Sequence, residues 1–186
     1  MAFWVGACLW FAWAAVLWAN PQGLSVVQGS ATVTSVGSQL SLTLSPVSVL
    51  DWRSFNINPG ETTTFIQPSS ASIVWNRIND VNPSQIWGNL NANGYVVLYN
   101  SQGFFFGPNS VINVGGLLVT TAPVSPPAAA GGGLWQYNGS PPAASIVNFG
   151  RIEAKTGGSL FMIAEKVMNH GTLMAPDGTI GLYAGK

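Results

Sequence analysis

Gly88-Asn89-Leu90-Asn91-Ala92 returns later in the chain as Gly150-Arg151-Ile152-Glu153-Ala154 and again as Gly171-Thr172-Leu173-Met174-Ala175. Every copy reads Gly, any residue, Leu or Ile, any residue, Ala, and another glycine follows it at position 94, 157 or 178. The second and third copies are 21 residues apart, and the 62 residues from the first to the second are close to three such steps. A fixed period of about 20 residues predicts a solenoid, in which the Gly, the Leu or Ile, and the Ala of each copy occupy equivalent structural positions.

From Leu24 onward the sequence period is two, as in short strands with one buried face. Clear examples are residues 39–44, 63–66, 95–99 and 111–114. Glycine and proline interrupt the chain every few residues, and the nearest candidate for a helix, residues 162–169, lies inside a repeat and is expected to form strand. We therefore predict an all-β fold, a right-handed single-stranded parallel β-helix with three faces per turn, capped at its N-terminal end by residues 24–44.

Charge is scarce in this chain of 186 residues. Charged side chains make up 6% of it, six basic and six acidic, against about 25% in an ordinary soluble domain. Nucleic-acid binding needs clustered positive charge, so we exclude nucleic acid as a partner. Because His170 is the only histidine and Cys8 the only cysteine, ligands for a metal site are too few, and we predict no cofactor.

The first 19 residues differ from the rest of the chain. Residues 3–18 are an unbroken apolar run, and Leu17-Trp18-Ala19 before Asn20-Pro21 resembles a signal-peptidase site. We predict that residues 1–19 are a signal peptide cleaved after Ala19, which also removes Cys8. Two alternatives stay open. One is an uncleaved membrane anchor, although the run is shorter than the roughly 20 residues that span a bilayer, and the other is a lipoprotein signal at Val5-Gly6-Ala7-Cys8.

Residues 121–144 interrupt the repeat. They are rich in Pro, Ala and Gly and contain little to bury. Because copies of the repeat occur on both sides, we predict an excursion that leaves the wall of the solenoid and rejoins it at Ser145. A linker between two domains is the alternative.

Several short motifs follow one another between Asp51 and Thr121. They are Asp51-Trp52-Arg53-Ser54-Phe55-Asn56-Ile57, Trp75-Asn76-Arg77-Ile78, Pro83-Ser84-Gln85-Ile86-Trp87-Gly88 and Leu98-Tyr99-Asn100-Ser101-Gln102-Gly103-Phe104-Phe105-Phe106-Gly107. In these motifs and their order the chain resembles the two-partner secretion domain of filamentous-haemagglutinin-type exoproteins, also called the haemagglutination activity domain. The resemblance extends over residues 20–186, since the repeats at 148–154 and 169–175 fit the family's later coils.

The resemblance implies a fold, a partner and a route of export. The fold is a pectin-lyase-like β-helix. The route leads, in a Gram-negative cell, through the inner membrane to the periplasm, where the POTRA modules of an outer-membrane β-barrel transporter of the TpsB type capture the extended chain. The domain then folds outside, secreted or at the cell surface. The recognition and turn residues implied by the resemblance are Asn76, Arg77, Asn100, Ser101, Gln102, Gly103, Phe104 and Gly107.

One motif departs from the family. The family usually has Asn-Pro-Asn-Gly-Ile where this chain has Asn100-Ser101-Gln102-Gly103-Phe104, so the glycine that permits the turn is retained. Substitution of Asn100 and Gly103 is expected to lower export without unfolding the coils. Because exoproteins of the family are usually much longer, we expect the passenger to be absent or lost after Lys186.

Two other functions stay open. One is a small surface adhesin or haemagglutinin, whose exposed aromatics, such as Trp135 and Tyr137, contact a host glycan or a surface protein. The other is a polysaccharide-processing β-helix enzyme. The residues disfavour the enzyme, because the six carboxylates share no obvious repeat column and no serine lies in a Gly-x-Ser-x-Gly motif. We therefore expect no catalytic activity.

Overall fold

A computed structural model describes residues 20–125, 136–137 and 139–185, and the regular elements in these residues are all β-strands. The strands are β1 (Ser25–Gln28), β2 (Ala31–Val36), β3 (Gln39–Leu44), β4 (Val47–Trp52), β5 (Thr62–Ile66), β6 (Ile73–Ile78), β7 (Ser84–Ile86), β8 (Asn89–Ala92), β9 (Tyr95–Tyr99), β10 (Phe104–Phe106), β11 (Val111–Val114), β12 (Gly116–Thr120), β13 (Val124–Ser125), β14 (Gln136–Tyr137), β15 (Ser145–Asn148), β16 (Arg151–Ala154), β17 (Leu160–Ala164), β18 (Lys166–Asn169), β19 (Thr172–Met174) and β20 (Ile180–Ala184). No helix in this part of the chain is long and apolar enough to cross a bilayer. The predicted signal peptide, Trp135 and Lys186 lie outside the described residues.

Three sheets surround one main core. The first sheet has the order β2-β3-β5-β8-β11-β16-β19, the second β1-β4-β6-β9-β12-β17-β20, and the third β7-β10-β15-β18. The chain visits the sheets in turn, so that β5, β6 and β7 form one coil and β8, β9 and β10 form the next. Within these sheets the strands from β3 onward pair in parallel. The predicted parallel β-helix is confirmed.

One inward column of the first sheet shows how the repeat joins the coils. From one coil to the next, the column contains Leu40, Thr63, Leu90, Ile112, Ile152 and Leu173. Leu90, Ile112 and Ile152 are fully buried, and burial of such a side chain contributes about 1.5–3 kcal/mol. Thr63 is the polar member of the column. Its hydroxyl donates to Asn20 Oδ1 at 3.1 Å, which satisfies the buried group.

The spacing of the repeat differs from expectation at one point. Leu90 pairs with Ile112, and Ile112 pairs with Ile152, so two coils, not three, separate the first two quoted copies. The second of these coils is long because it contains the connection that follows β12. The intervening copy, Ser110-Val111-Ile112-Asn113-Val114, does not match the quoted pattern, because Ser replaces the glycine and Val replaces the alanine.

Antiparallel strands lie at the N-terminal end of the solenoid. β2 pairs with β3 in the first sheet, and β1 pairs with β4 in the second. Asn20 anchors the start of this segment, since its Nδ2 donates to Ser38 O at 3.1 Å. These strands occupy sheet edges that the first coil would otherwise leave unpaired, which is the role expected of a cap at residues 24–44.

Two short strands between β12 and β15 lie outside the three sheets. β13 and β14 pair with each other in an antiparallel arrangement, and Val124 of β13 packs in a second hydrophobic cluster with Trp75, Val97 and Leu118. These three residues alternate with core residues along β6, β9 and β12, so they form the outer face of the second sheet. They are nevertheless 0–2% exposed. At β6, β9 and β12 the second sheet is therefore buried on both faces, and the three sheets continue on either side of the connection.

Glycines stack where the first sheet passes into the second. They are Gly94, Gly115, Gly158 and Gly178. A Cβ on Gly115 would lie 2.6 Å from the carbonyl oxygen of Gly94, and a Cβ on Gly158 would collide with the carbonyl oxygen of Gly115. The absence of side chains lets the backbones approach closely, and Gly115 N donates to Gly94 O at 2.9 Å.

Gly158→Ala is expected to lower the free energy of unfolding by about 2–3 kcal/mol, because a coil must shift to admit the methyl group. The matched control is Gly157→Ala. Gly157 has a φ of +80° but open space around the position of a Cβ, so the expected loss is only about 1 kcal/mol. Urea unfolding followed by circular dichroism measures both. An equal or larger loss in the control would mean that backbone crowding does not determine stability at this corner.

Candidate functional site

The turn from β9 to β10 contains most of the recognition residues implied by the resemblance. Asn100 begins this turn and is fully buried. Its Nδ2 donates to Ser84 Oγ at 3.0 Å and to Asn82 O at 3.2 Å, and its Oδ1 accepts from Gln102 N at 2.9 Å. The first two bonds reach the preceding coil, and the third closes an Asx turn. Asn100 therefore fixes the turn onto the coil below it.

Gly103 and Phe104 complete the turn and are also enclosed. The carbonyl of Gly103 accepts from Ser84 N at 3.0 Å, and a Cβ on Gly103 would collide with the carbonyl oxygen of Ser145 on the next coil. Its φ of +106° is one that L side chains rarely adopt. Phe104 is 1% exposed and stacks on Phe106 inside the core. Both residues are thus required by the local fold.

Ser101 and Gln102 are the accessible part of the turn. Gln102 is exposed and Ser101 is partly exposed, and Gln102 Nε2 donates to Ser101 Oγ at 3.2 Å. A partner that meets the folded domain can touch these two side chains. It cannot reach Asn100 or Gly103.

Asn76 and Arg77 lie one coil earlier, on the second sheet, where Arg77 pairs in register with Tyr99 beside the turn. Asn76 is fully buried, its Oδ1 accepts from Trp52 Nε1 at 2.9 Å, and its Nδ2 donates to Val97 O at 3.1 Å. Arg77 donates to both carboxylate oxygens of Asp51 at 2.6 and 2.9 Å. Both side chains are engaged within the folded domain, so their predicted part in recognition requires an extended chain.

The outer face of the third sheet carries a row of aromatic rings that was not among the site residues predicted from the sequence. The ring centroids of Trp87 and Phe105 are 5.0 Å apart, those of Phe105 and Phe149 5.8 Å, and those of Phe149 and His170 4.8 Å. Gly107 makes room for the row, since a Cβ there would strike the indole ring of Trp87. Three of the four aromatic residues immediately precede the first glycine of a repeat copy. That shared position is the signal from which the row could have been found.

Tyr137, which the sequence suggested as a contact for glycan or protein, lies on β14. It lines a cleft of about 410 Å³ together with Tyr95, Phe161 and Tyr183. Burial raises the pKa of Tyr95 far above its usual value, and the neighbouring Tyr137 raises it further. Burial also raises the pKa of Tyr137 to about 12, with Tyr183 as the second cause. Tyr95 and Tyr137 therefore present neutral phenols to the cleft at physiological pH.

The carboxylates of the described residues are dispersed. Asp51 pairs with Arg77, and Glu153 accepts from Arg151 at 2.7 Å. Glu61 is buried and accepts from Asn58 N at 2.7 Å. Within the described part of the chain, no group of three or more His, Cys, Asp and Glu side chains is arranged to hold a metal ion.

Comparison with known proteins finds a matching family and similar proteins. A family model described as TPS secretion domain matches residues 14–186. Two proteins of Haemophilus influenzae, each named heme/hemopexin-binding protein, are similar to this chain. The one from strain Rd is 33% identical over 178 residues, which is 89% of this chain and 19% of that protein. The other is 37% identical over 103 residues, which is 54% of this chain and 11% of that protein.

A solved structure is similar as well. The crystal structure of the HMW1 secretion domain from Haemophilus influenzae matches with a TM-score of 0.78 and 30% sequence identity, over 89% of this chain and 45% of that one. The two heme/hemopexin-binding proteins are much longer than this chain, which spans about a fifth or less of their length.

Asn100→Ala is expected to lower the free energy of unfolding by about 2–3 kcal/mol, because it removes three hydrogen bonds from a buried corner. Ser101→Ala, at the partly exposed neighbour, is the control and should change it by less than about 0.5 kcal/mol. Urea unfolding of both variants measures the difference in their free energies of unfolding. This revises the expectation from sequence that Asn100 can be replaced without affecting the coils, and equal effects of the two variants would contradict the revision.

The free energy of unfolding is expected to fall as the pH rises above about 10. Tyr95 and Tyr137 have raised pKa values in the folded state, so they keep their protons after the tyrosines of the unfolded chain have ionised. The unfolded state then binds fewer protons than the folded state, and stability is lost with rising pH. Urea unfolding at a series of alkaline pH values measures the slope. Tyr95→Phe should reduce it, and an unchanged slope would be the contrary result.

Proposed function

The chain belongs to the TPS secretion domain family, and on that premise we propose that it directs a two-partner secretion exoprotein to an outer-membrane β-barrel transporter of the TpsB type. The observation that carries this proposal is the family match over residues 14–186, combined with the likeness to a solved secretion domain. POTRA modules of the transporter would hold the chain in the periplasm before it folds.

Recognition before folding agrees with the accessibility of the candidate residues. Asn76, Asn100 and Gly103 are enclosed in the folded domain, so a transporter that reads them must meet the extended chain. An extended segment can add to the edge of a sheet, where main-chain hydrogen bonds supply affinity and alternate side chains supply selectivity. The segments that form β6, β9 and β10 are short, three to six residues each, which suits them to such pairing.

Folding outside the cell would bias the export of the chain in the outward direction. Each coil that stacks on the previous one buries apolar area worth about 25 cal/mol per Å². The N-terminal strands β1 and β2 would close the first coil, which then serves as a template for the second. Residues 20–186 contain no cysteine, so no disulfide within them would form in an oxidising compartment and hinder passage of the extended chain.

The first residues would bring the chain to the periplasm. We propose that residues 1–19 are a signal peptide cleaved after Ala19 and that residues 20–186 form the secretion domain, with 121–144 as an excursion. In this proposal the exoprotein is secreted or remains at the cell surface. Any activity of a passenger, such as the binding of heme or hemopexin for which the relatives are named, would lie in further residues of a longer protein.

A small surface adhesin is the second candidate. The row of partly exposed aromatic rings on the third sheet favours it, because such a surface remains available after the domain has folded. The two roles are compatible, since recognition by the transporter would precede folding and adhesion would follow it.

Release of the domain into the medium is expected to depend on a co-expressed TpsB-type transporter from the same genome. We also expect Asn100→Ala to reduce release severalfold in the presence of that transporter, because the variant alters the motif that is read in the extended chain. Immunoblotting of medium and periplasm gives the released fraction.

Gly158→Ala is the control for this experiment. It is expected to destabilise the folded domain about as much as Asn100→Ala does, but it lies outside the candidate motif. Equal losses of release in both variants would show that folding alone matters and would refute recognition at the turn. Release without any transporter would refute the secretion role itself.

A further inference from the structure

Strand β2 is the edge strand of the first sheet at the N-terminal end of the solenoid. It pairs with β3 on one side, and no strand of the described residues pairs with its other side. Its residues from Thr32 to Val36 are all exposed, and Val33 and Val36 are 47% and 70% exposed. The cap therefore closes the first coil but presents a free edge of its own.

The β2 edge lacks the features by which natural sheets discourage pairing with other chains, namely charged side chains, proline and β-bulges. Residues 20–50 contain no Asp, Glu, Lys, Arg or His, and β2 contains no proline. The pairing of β2 with β3 runs through six consecutive residue pairs without a shift. By contrast β1, the edge strand of the second sheet, has an irregular register between Val26 and Gln28, as a bulge produces. At this end of the solenoid, β2 is therefore the edge that is open to a further strand.

The backbone groups of β2 point alternately to β3 and to the free edge. Ser45 N donates to Ser30 O at 3.1 Å, and in an antiparallel ladder such bonded pairs recur at every second residue. The N–H and C=O groups of the even-numbered residues of β2 therefore point to β3. Those of the odd-numbered residues, Ala31, Val33 and Ser35, point to the free edge, where each residue offers one donor and one acceptor.

This edge is complementary to itself. When a second copy lies antiparallel with its Val33 opposite Val33, Ala31 of each copy is opposite Ser35 of the other. Because opposite residues in bonded pairs exchange both hydrogen bonds, all the free groups of both β2 edges are then paired. The same register places Thr32 opposite Thr34 of the other copy, and cross-strand threonine pairs are favourable. The two copies are related by a two-fold axis, the commonest symmetry of homo-oligomers.

Val33 also ends an apolar column of the first sheet. It lies opposite Leu42, and Leu42 lies opposite Phe65. Leu42 and Phe65 are 0% and 1% exposed, whereas Val33 is 47% exposed. Pairing of two copies would join their columns at Val33 and remove both valine side chains from water. The joined columns and the self-complementary register favour a second copy of this chain over a strand of another protein.

We propose that two copies of the folded domain associate head to head, by antiparallel pairing of their β2 strands with Val33 at the two-fold axis. The first sheets of the two copies then form one continuous sheet. The C-terminal ends of the two solenoids point away from each other, so further residues of a longer protein would not obstruct the contact. The inference does not depend on the secretion role.

Sedimentation velocity of the purified protein measures the association. The unaltered protein is expected to form a dimer with a dissociation constant in the micromolar range or below. Val33→Lys should raise that constant at least about tenfold, because two like charges would lie directly opposite each other at the axis. An equimolar mixture of Val33→Lys and Val33→Glu should restore a dimer with one copy of each variant, since the opposed charges then attract.

Thr172→Lys is the matched control, because Thr172 is an exposed residue of β19, the strand at the opposite edge of the same sheet. It should leave the dissociation constant unchanged, and thermal unfolding should show that all variants remain folded. A monomer at every concentration would overturn the proposal. Loss of the dimer in Thr172→Lys but not in Val33→Lys would place the contact at the other end and would overturn it too, as would a mixed pair that stays monomeric.

Hydrogen exchange of the unaltered protein provides a test without substitution. The amide protons of Ala31, Val33 and Ser35 point to the proposed contact, so their exchange should slow severalfold as the protein concentration rises through the dissociation constant. The amide protons at the free edge of β19 should exchange at a rate that does not depend on concentration. Exchange in β2 that is equally independent of concentration would contradict the pairing.

Discussion

The stacking of parallel coils in one register is the constraint on which the rest of the structure depends. Side chains alternate between the two faces of each strand, so a slip of one residue would move Leu90, Ile112 and Ile152 from the core to the surface. The corner glycines enforce the same register, because a Cβ on Gly158 would push two coils apart. The register that buries the apolar side chains is therefore also the register in which the backbone hydrogen bonds between coils form.

Buried carboxamide side chains supply hydrogen-bond partners to the backbone at the corners of the coils. Where a strand ends, backbone groups lose their partners in the sheet, and side chains must replace them. Asn100 supplies a donor and an acceptor at one corner, and Asn148 does so at another, where its Oδ1 accepts from Gly150 N at 3.0 Å and its Nδ2 donates to Asn169 Oδ1 at 2.7 Å. In our proposal the motif around Asn100 serves twice, first as an extended sequence read by a transporter and then as a corner of the folded coil.

The outer faces of the second and third sheets differ in how far they are covered. Trp75, Val97 and Leu118 on the second sheet are covered, and Val124 of β13 packs against them. The third sheet instead exposes Trp87 and Phe149. In the second candidate role proposed above, these uncovered rings would remain available to a partner after the domain has folded. In these proposals, recognition by the transporter and adhesion belong to different states of the same chain.

The sequence by itself determined the β-helix, because alternation and the repeated Gly, Leu or Ile, and Ala are local patterns that only a stack of short strands can satisfy. It also identified the turn at Asn100 and the interruption after Thr120. It misjudged the number of coils between Leu90 and Ile152, since the long connection between β12 and β15 lengthens one coil without changing its register. Only the tertiary structure showed that Asn76 and Asn100 are buried and that Trp87, Phe105, Phe149 and His170 form one row. The physical reason is that burial and ring contacts depend on which coils lie next to each other, and residues many positions apart in the chain become neighbours only when the coils stack.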